Sequence, residues 1–124
     1  LPLPLSYRSK VLCMFQKFDG VDVCLFAMYT QEYDKDAPYF NARRAYISYL
    51  DSVEYFRPRQ HRTCVYHEIL VSYLDWLRRR GFVAAHIWSC PPQRGNNFIF
   101  WCHPPHQKTP TRDRLANWYS AMLK

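Results

Sequence analysis

Two segments rich in apolar and aromatic residues dominate the first third of the chain. Residues 7–18 contain the apolar run 11–15 and residues 21–33 contain the apolar run 23–29, and both segments are predicted to be β-strands. Asp19-Gly20 lies between these segments and is a strong signal for a tight two-residue turn. The pattern therefore predicts a β-hairpin, and one face of its first strand carries Val11, Cys13 and Phe15.

A third strand is predicted over residues 45–50, with Tyr46, Ser48 and Leu50 on the face opposite to Ile47 and Tyr49. Before it, residues 31–41 collect charged residues, Pro38 and Asn41, which favours a loop.

The spacing changes to a helical one after Arg62. Apolar residues then recur on one helical face, at Tyr66, Ile69, Leu70, Tyr73, Leu74 and Leu77. The three arginines at 78–80 suit the negative end of a helix, and Gly81 is a typical terminating residue. Residues 83–89 follow as a buried strand, which should run parallel to an earlier strand because a helix separates the two.

The last third is predicted to contain a short strand at 98–102 and a second helix that begins near Thr111, a suitable N-cap residue. The apolar face of this helix comprises Leu115, Trp118, Tyr119, Met122 and Leu123. The elements together predict an α/β fold with a central mixed β-sheet flanked by helices. At 124 residues one domain is expected, because domains commonly have about 100–150 residues. Since the second helix is barely complete at Lys124, we expect residues 1–124 to be part of a single larger domain.

Charge narrows the choice of partner. Seventeen basic and ten acidic residues give a formal net charge of +7, which favours an anionic partner: nucleic acid, a membrane surface or a phosphate-rich cofactor. No apolar run approaches the roughly 20 residues that span a bilayer. The five cysteines are odd in number and lie mostly in apolar segments, which predicts buried free thiols in a reducing, intracellular compartment.

The start of the first helix is unusual because it is crowded by Arg59, His61 and Arg62. A helix N-terminus already carries about half a positive charge, so cations there favour a bound anion such as a phosphate. Lys108, Arg112 and Arg114 repeat this arrangement at the second helix. Two such cases suggest one polyanionic ligand.

The sequence gives weaker support for metal binding, for catalysis by a cysteine nucleophile and for nucleic-acid binding. Cys90, Cys102, His103 and His106 lack the paired spacing of a zinc site, and His67-Glu68 lacks the second histidine of a metalloprotease helix. A nucleophile at Cys64 or Cys90 has no identifiable orienting group. Arginines interleaved with aromatic residues at 55–59 keep open a basic nucleic-acid-binding or non-catalytic interaction module, although no nucleic-acid-binding fingerprint is present.

Several longer motifs are more specific, and they are distributed over residues 7–123. They are Asp19-Gly-Val-Asp-Val-Cys24, Tyr46-Ile-Ser-Tyr-Leu-Asp-Ser-Val53, Tyr66-His-Glu-Ile-Leu70, His86-Ile-Trp-Ser-Cys-Pro-Pro92, Cys102-His-Pro-Pro105, Gln107-Lys108 and Trp118-Tyr119. With these motifs the chain resembles the acetyltransferase domain of the CREB-binding-protein family of transcriptional coactivators.

The resemblance implies transfer of an acetyl group from acetyl-coenzyme A to lysine side chains of histones and other nuclear proteins. It also implies a nuclear location, a coactivator role, and transcription-factor partners that bind outside this chain. It implies neither a metal in this segment, nor a membrane, nor direct nucleic-acid binding. By position in the family's motifs, the cofactor-binding residues would be Leu50, Asp51 and Ser52 at the pantetheine arm, Arg62, Thr63 and Tyr66 near the phosphates, and Lys108, Arg114 and Trp118 on the other side.

The same resemblance makes Tyr119 the general acid and places Trp88 in the lysine tunnel, which residues 88–110 would help to form. A tyrosine of pKa ~10 can protonate a thiolate of pKa ~8.5, uphill by roughly 2 kcal/mol unless nearby cations acidify it. The chain departs from its relatives at His61, Phe98, His106 and Thr109, and none of these changes removes a proposed catalytic group.

Overall fold

A computed structural model describes residues 7–37, 40–88, 100, 103–104, 106–108 and 110–123. Its elements are β1 (Arg8–Phe18), β2 (Val21–Tyr33), β3 (Arg44–Ser52), a short 3-10 turn (Arg59–His61), α1 (Arg62–Arg79), β4 (Ala84–Ile87) and α2 (Arg112–Met122). The strands form one sheet in the order β1-β2-β3-β4. Both β1–β2 and β2–β3 are antiparallel, whereas β3–β4 is parallel, so the predicted mixed sheet is confirmed.

The turn between β1 and β2 has the predicted chemistry. Asp19 and Gly20 both have positive φ, at 50° and 82°. Positive φ at both central residues is the geometry of a type I′ turn, which matches the twist of a hairpin. Aspartate and glycine tolerate this region better than other residues do.

The register shift between β2 and β3 was not predicted. Tyr29 pairs with Tyr49 but Thr30 pairs with Ile47, so Ser48 is an extra residue in β3. Beyond this bulge Leu50 pairs with the core residue Met28, and its partly buried side chain packs against the core. The predicted grouping of Leu50 with Tyr46 and Ser48 is therefore wrong, because a bulge reverses the alternation of faces.

The core lies between one face of the sheet and the two helices. Its buried members are Phe26, Met28, Ala45, Ile47, Tyr66, Leu70, Tyr73, Leu77, Tyr119 and Met122. The predicted face of α1 is confirmed, whereas Leu123 of the predicted α2 face is 63% exposed. Val11, Cys13 and Phe15 do share a face, but it is the exposed face of the hairpin.

Helix α1 ends as its sequence indicates. Gly81 has a φ of 87°, its N–H donates to the carbonyl of Arg78, and the N–H of Phe82 donates to that of Leu77. These two bonds make a Schellman motif, in which glycine removes the steric cost of the left-handed conformation.

The predicted loop over residues 31–41 begins too early. Residues 31–33 continue β2 and pair with β3, and Glu32 is 3% exposed. Its carboxylate accepts a 2.7 Å hydrogen bond from Tyr73 and forms ion pairs with Lys10 at 3.2 Å and Arg80 at 3.3 Å. Two cations and a hydroxyl thus make a buried charge tolerable inside a strand.

Strand β4 is shorter than predicted and is not buried, because Ala85 and His86 are exposed. Cys13 and Cys64 are also exposed and Cys24 is half-buried, so the expectation of buried thiols is wrong for these three. Cys90, Cys102 and most of the predicted strand at 98–102 lie outside the described residues. Among the helices that the structure describes, none combines the length and apolar composition needed to cross a bilayer.

Candidate functional site

Three predicted site residues meet where β3 gives way to α1. The Arg62 guanidinium donates a 2.8 Å hydrogen bond through Nη2 to Ser52 Oγ. The carbon of the same guanidinium lies 5.2 Å from the centre of the Tyr66 ring. Residues 52–62, which we call the elbow, therefore bring the end of the strand and the first turn of the helix together around one arginine.

The elbow has unused capacity for an anion. Arg62 Nε is buried and has no hydrogen-bond partner among the described residues. His61 occupies the N-cap position of α1 without a side-chain capping bond, and the first turn contains no acidic residue. A buried guanidinium N–H without a partner fits a phosphate oxygen, which would satisfy it. Thr63 is exposed beside Arg62.

Tyr66 supports the elbow from the buried side. Its ring is 4% exposed, and its hydroxyl points at the carbonyls of Leu25 and Val53, at 3.4 and 3.5 Å. Burial raises the pKa of the Tyr66 hydroxyl, an effect that Arg62 partly opposes. The hydroxyl therefore stays protonated and donates to the backbone, so Tyr66 acts first as an anchor for the adjacent Arg62.

Asp51 connects β3 to the segment that precedes α2. Its carboxylate accepts hydrogen bonds from the backbone N–H of Phe100 at 3.0 Å and of Ser52 at 2.9 Å. His103 Nε2 lies 2.7 Å from the same carboxylate. Asp51 was predicted as a pantetheine contact, and in the structure its carboxylate joins the end of β3 to Phe100 and His103.

A second connection was missed by the sequence analysis. The Gln107 side chain accepts a hydrogen bond from the Glu54 N–H at 3.1 Å and donates one to the Ser52 carbonyl at 2.9 Å. His106 Nε2 lies 3.0 Å from Glu54 Oε1. No periodicity or local motif signals these contacts, because they join residues far apart in the chain.

Helix α2 starts differently from α1. Thr111 accepts a 3.2 Å hydrogen bond from the Arg114 N–H, and Asp113 lies in the first turn. The predicted N-cap at Thr111 is confirmed, and Asp113 adds a carboxylate to a helix start that also carries Arg112 and Arg114. The predicted cationic side chains Lys108 and Arg114 are both exposed.

Trp118 brings α2 against α1. Its ring lies 4.2 Å from that of His67, and 5.2 Å from that of its neighbour Tyr119. Burial lowers the pKa of His67, which keeps the imidazole neutral at this contact. Helices α1 and α2 thus pack together through the rings of His67 and Trp118.

Tyr119 is a core residue as well as a candidate catalytic one. It is 6% exposed, and burial raises its pKa to about 12. The sequence analysis expected that nearby cations could lower this pKa, but burial shifts it in the opposite direction. Trp88 follows β4, its backbone N–H donates to the carbonyl of Ile47 at 3.1 Å, and 66% of its surface is exposed.

Two further features bear on the alternatives. No group of three or more histidine, cysteine, aspartate or glutamate residues among the described positions could hold a metal ion. A groove of about 640 Å³ between β1 and α1 is lined by apolar side chains with Lys10 and Glu68, and it shares none of the predicted site residues.

Comparison with known proteins identifies relatives of the whole chain. The family model described as "Histone acetyltransferase domain KAT3" matches residues 1–124. "Histone acetyltransferase HAC1" of Arabidopsis thaliana is 51% identical over 99% of this chain, which corresponds to 8% of the relative. "Protein cbp-1" of Caenorhabditis elegans is 51% identical over 99% of the chain and 6% of its own length. The chain thus spans less than a tenth of these relatives, and the resemblance found in the sequence is confirmed.

Proposed function

The chain belongs to the KAT3 histone acetyltransferase domain family, and we propose that it binds acetyl-coenzyme A and serves in acetyl transfer to lysine side chains of histones and other nuclear proteins. The observation that carries this proposal is Arg62, whose buried Nε has no partner among the described residues while its Nη2 is held by Ser52. A phosphate at the elbow would complete the hydrogen bonding of this guanidinium, and arginine suits phosphate oxygens well.

The elbow would hold one side of the coenzyme. Leu50, Asp51 and Ser52 would lie along the pantetheine arm, with Arg62 and Thr63 at the phosphates. The exposed side chains of Lys108 and Arg114 and the half-buried ring of Trp118 would form the other side. Exposed cations attract a polyanion over a distance, whereas the held guanidinium fixes its position.

The chemistry needs a neutral lysine amine and a proton for the departing thiolate. Tyr119 would donate that proton from Oη, and Trp88 would line the tunnel for the lysine. With the tyrosine pKa at about 12, donation to a thiolate of pKa ~8.5 is uphill by about 5 kcal/mol. The bound substrates must therefore change the surroundings of this hydroxyl, or positioning must supply most of the rate acceleration.

The wider setting follows from the same proposal. Residues 1–124 would be part of a single catalytic domain that works in the nucleus as a transcriptional coactivator. Histone tails and other lysine-rich nuclear proteins would be its substrates, and transcription factors would bind regions outside this chain.

A titration tests the proposal. Calorimetry of the full-length protein should show saturable binding of coenzyme A and weaker binding of dephospho-coenzyme A. A short DNA duplex and a single-stranded RNA of equal charge serve as controls for nonspecific attraction to a basic surface. Tight binding of the nucleic acids together with no binding of coenzyme A would replace the proposed function with a basic interaction module.

A further inference from the structure

Two glutamine side chains, from distant parts of the chain, form hydrogen bonds to the backbone of the elbow. Gln107 binds the Ser52 carbonyl at 2.9 Å and the Glu54 N–H at 3.1 Å. Gln16 of β1 accepts a 2.9 Å hydrogen bond from the Arg57 N–H and donates to the carbonyl of the same residue. Each primary amide thus uses its acceptor and one donor on main-chain groups.

The Gln107 amide takes the place of a neighbouring strand. In an extended chain the carbonyl of residue 52 and the N–H of residue 54 point to the same side, opposite to the N–H of residue 53. The Val53 N–H points to β2, where it donates to the Leu25 carbonyl at 3.0 Å. Gln107 therefore lies on the β4 side, where the pairing of β3 with β4 has already ended at Ile47 and Ile87.

The end of β3 and the residues just after it also make two histidine–carboxylate contacts. His103 lies 2.7 Å from Asp51, and His106 lies 3.0 Å from Glu54. The backbone N–H of Phe100 also donates to Asp51. Phe100, His103, His106 and Gln107 thus meet the strand end at separate points. Among these described contacts, only those of Gln107 reach main-chain groups on both sides of Val53.

We propose that Gln107 is a positioning residue that sets the spacing between the two sides of the coenzyme site. This inference rests on the proposed function. Gln107 directly precedes Lys108 and lies shortly before Thr111, the N-cap of α2. Its amide therefore holds the chain at residues 107–108 against the backbone of Ser52. Ser52 in turn holds Arg62. One side chain therefore connects the residues proposed for both sides of the coenzyme.

The chemistry of the amide explains why glutamine is needed. Glutamate would keep the acceptor for the Glu54 N–H but would lose the donor to the Ser52 carbonyl, and would add a charge beside the Glu54 carboxylate. Methionine has a similar length and flexibility but makes neither strong hydrogen bond. Gln16 supplies a matched control, since it binds the same elbow through the same kind of amide but does not contact α2's side of the site.

The experiment compares Gln107→Met, Gln107→Glu and Gln16→Met in the full-length protein. We expect Gln107→Met to raise KM for acetyl-coenzyme A about tenfold, the scale of one or two lost hydrogen bonds, with kcat nearly unchanged. Gln107→Glu should also raise KM, whereas Gln16→Met should leave it within about twofold of wild type. Hydrogen exchange gives a readout apart from activity: the Glu54 amide should exchange faster in Gln107→Met only.

An unchanged KM in Gln107→Met, or an equal increase in Gln16→Met, would overturn the positioning role. So would unaltered exchange at Glu54, because the amide would then not depend on this side chain. The outcome is separable from the proposed function: if wild-type protein binds coenzyme A but the variants do not differ, only the role of Gln107 is wrong. If wild-type protein fails to bind coenzyme A, the proposed function itself is wrong.

Discussion

Arg62 Nη2 donates to Ser52 Oγ at 2.8 Å, while Nε of the same guanidinium is buried and has no partner within the described part of the chain. A held guanidinium with a spare donor differs from a freely moving surface arginine, because the entropy of ordering has already been lost. Such a group can bind a phosphate with little further reorganisation.

The first prediction concerns Arg62. Arg62→Ala should weaken the binding of coenzyme A by about 1–3 kcal/mol, the scale of a lost charge-assisted hydrogen bond. Arg114→Ala should fall at the lower end of that range, because the Arg114 side chain is exposed. Calorimetry measures both, and Arg8→Ala at the exposed start of β1 is a control for net charge. Unchanged affinity in Arg62→Ala would remove the elbow from the site.

A second prediction uses the His67 contact with Trp118. Burial lowers the pKa of folded His67 below its unfolded value of ~6.5, so the unfolded chain binds the proton more readily. The stability that neutral His67 contributes is therefore fully present above about pH 6.5 and is lost as the pH falls below it. His67→Phe keeps a ring beside Trp118 and should flatten this acid-induced loss.

Melting temperatures between about pH 5 and pH 7.5 provide the measurement, since unperturbed histidine titrates in that window. The exposed His61 gives the control variant His61→Phe, which should melt with the wild-type pH dependence. The contacts of His103 and His106 with carboxylates are present in every variant and cancel in the comparison. Parallel curves for wild type and His67→Phe would show that His67 does not titrate with folding.

The turns, helix ends and helix faces could be predicted from short stretches of sequence. The turn at Asp19-Gly20, the end of α1 at Gly81 and the Thr111 cap all depend on neighbours within a few residues. The apolar face of α1 is likewise set by its own periodicity. These features could be predicted because the physical cause and the sequence signal occupy the same short segment.

The features that sequence could not supply are nonlocal. The bulge at Ser48 depends on the register between β2 and β3, which alternation alone does not give. The Gln107 contacts join residues that are 53 and 55 positions apart. The exposure of Cys13 and Phe15 depends on which face of the sheet the helices cover. Family resemblance, in contrast, indicated Ser52, Arg62 and Tyr66 together before any geometry was known.

A third prediction concerns the buried Glu32, whose cationic partners Lys10 and Arg80 are 28% and 30% exposed at their side chains. Glu32→Gln should lower the free energy of unfolding by about 2–3 kcal/mol, because two cations and the Tyr73 hydroxyl lose a charged acceptor. This lies below the full cost for a completely buried pair, since both cations can still reach water. Asp22→Asn at the exposed pair with Lys17 is the control, with a change within about 0.5 kcal/mol. Equal effects in denaturant titrations would show that burial does not strengthen the Glu32 network.

The last prediction tests Tyr119 as the proton donor against its role in the core. Tyr119→Phe keeps the buried ring, so the melting temperature and coenzyme A affinity should change little, while kcat should fall about 10²–10⁴-fold. Tyr73→Phe is the matched control: this tyrosine is buried in the same core and donates to Glu32 at 2.7 Å, so its loss should lower stability and spare kcat. Because burial raises the pKa of Tyr119 to about 12, the rate should show no loss from its ionisation up to about pH 10. Retention of more than half of the wild-type kcat by Tyr119→Phe, with chemistry rate-limiting, would leave Tyr119 a packing residue only.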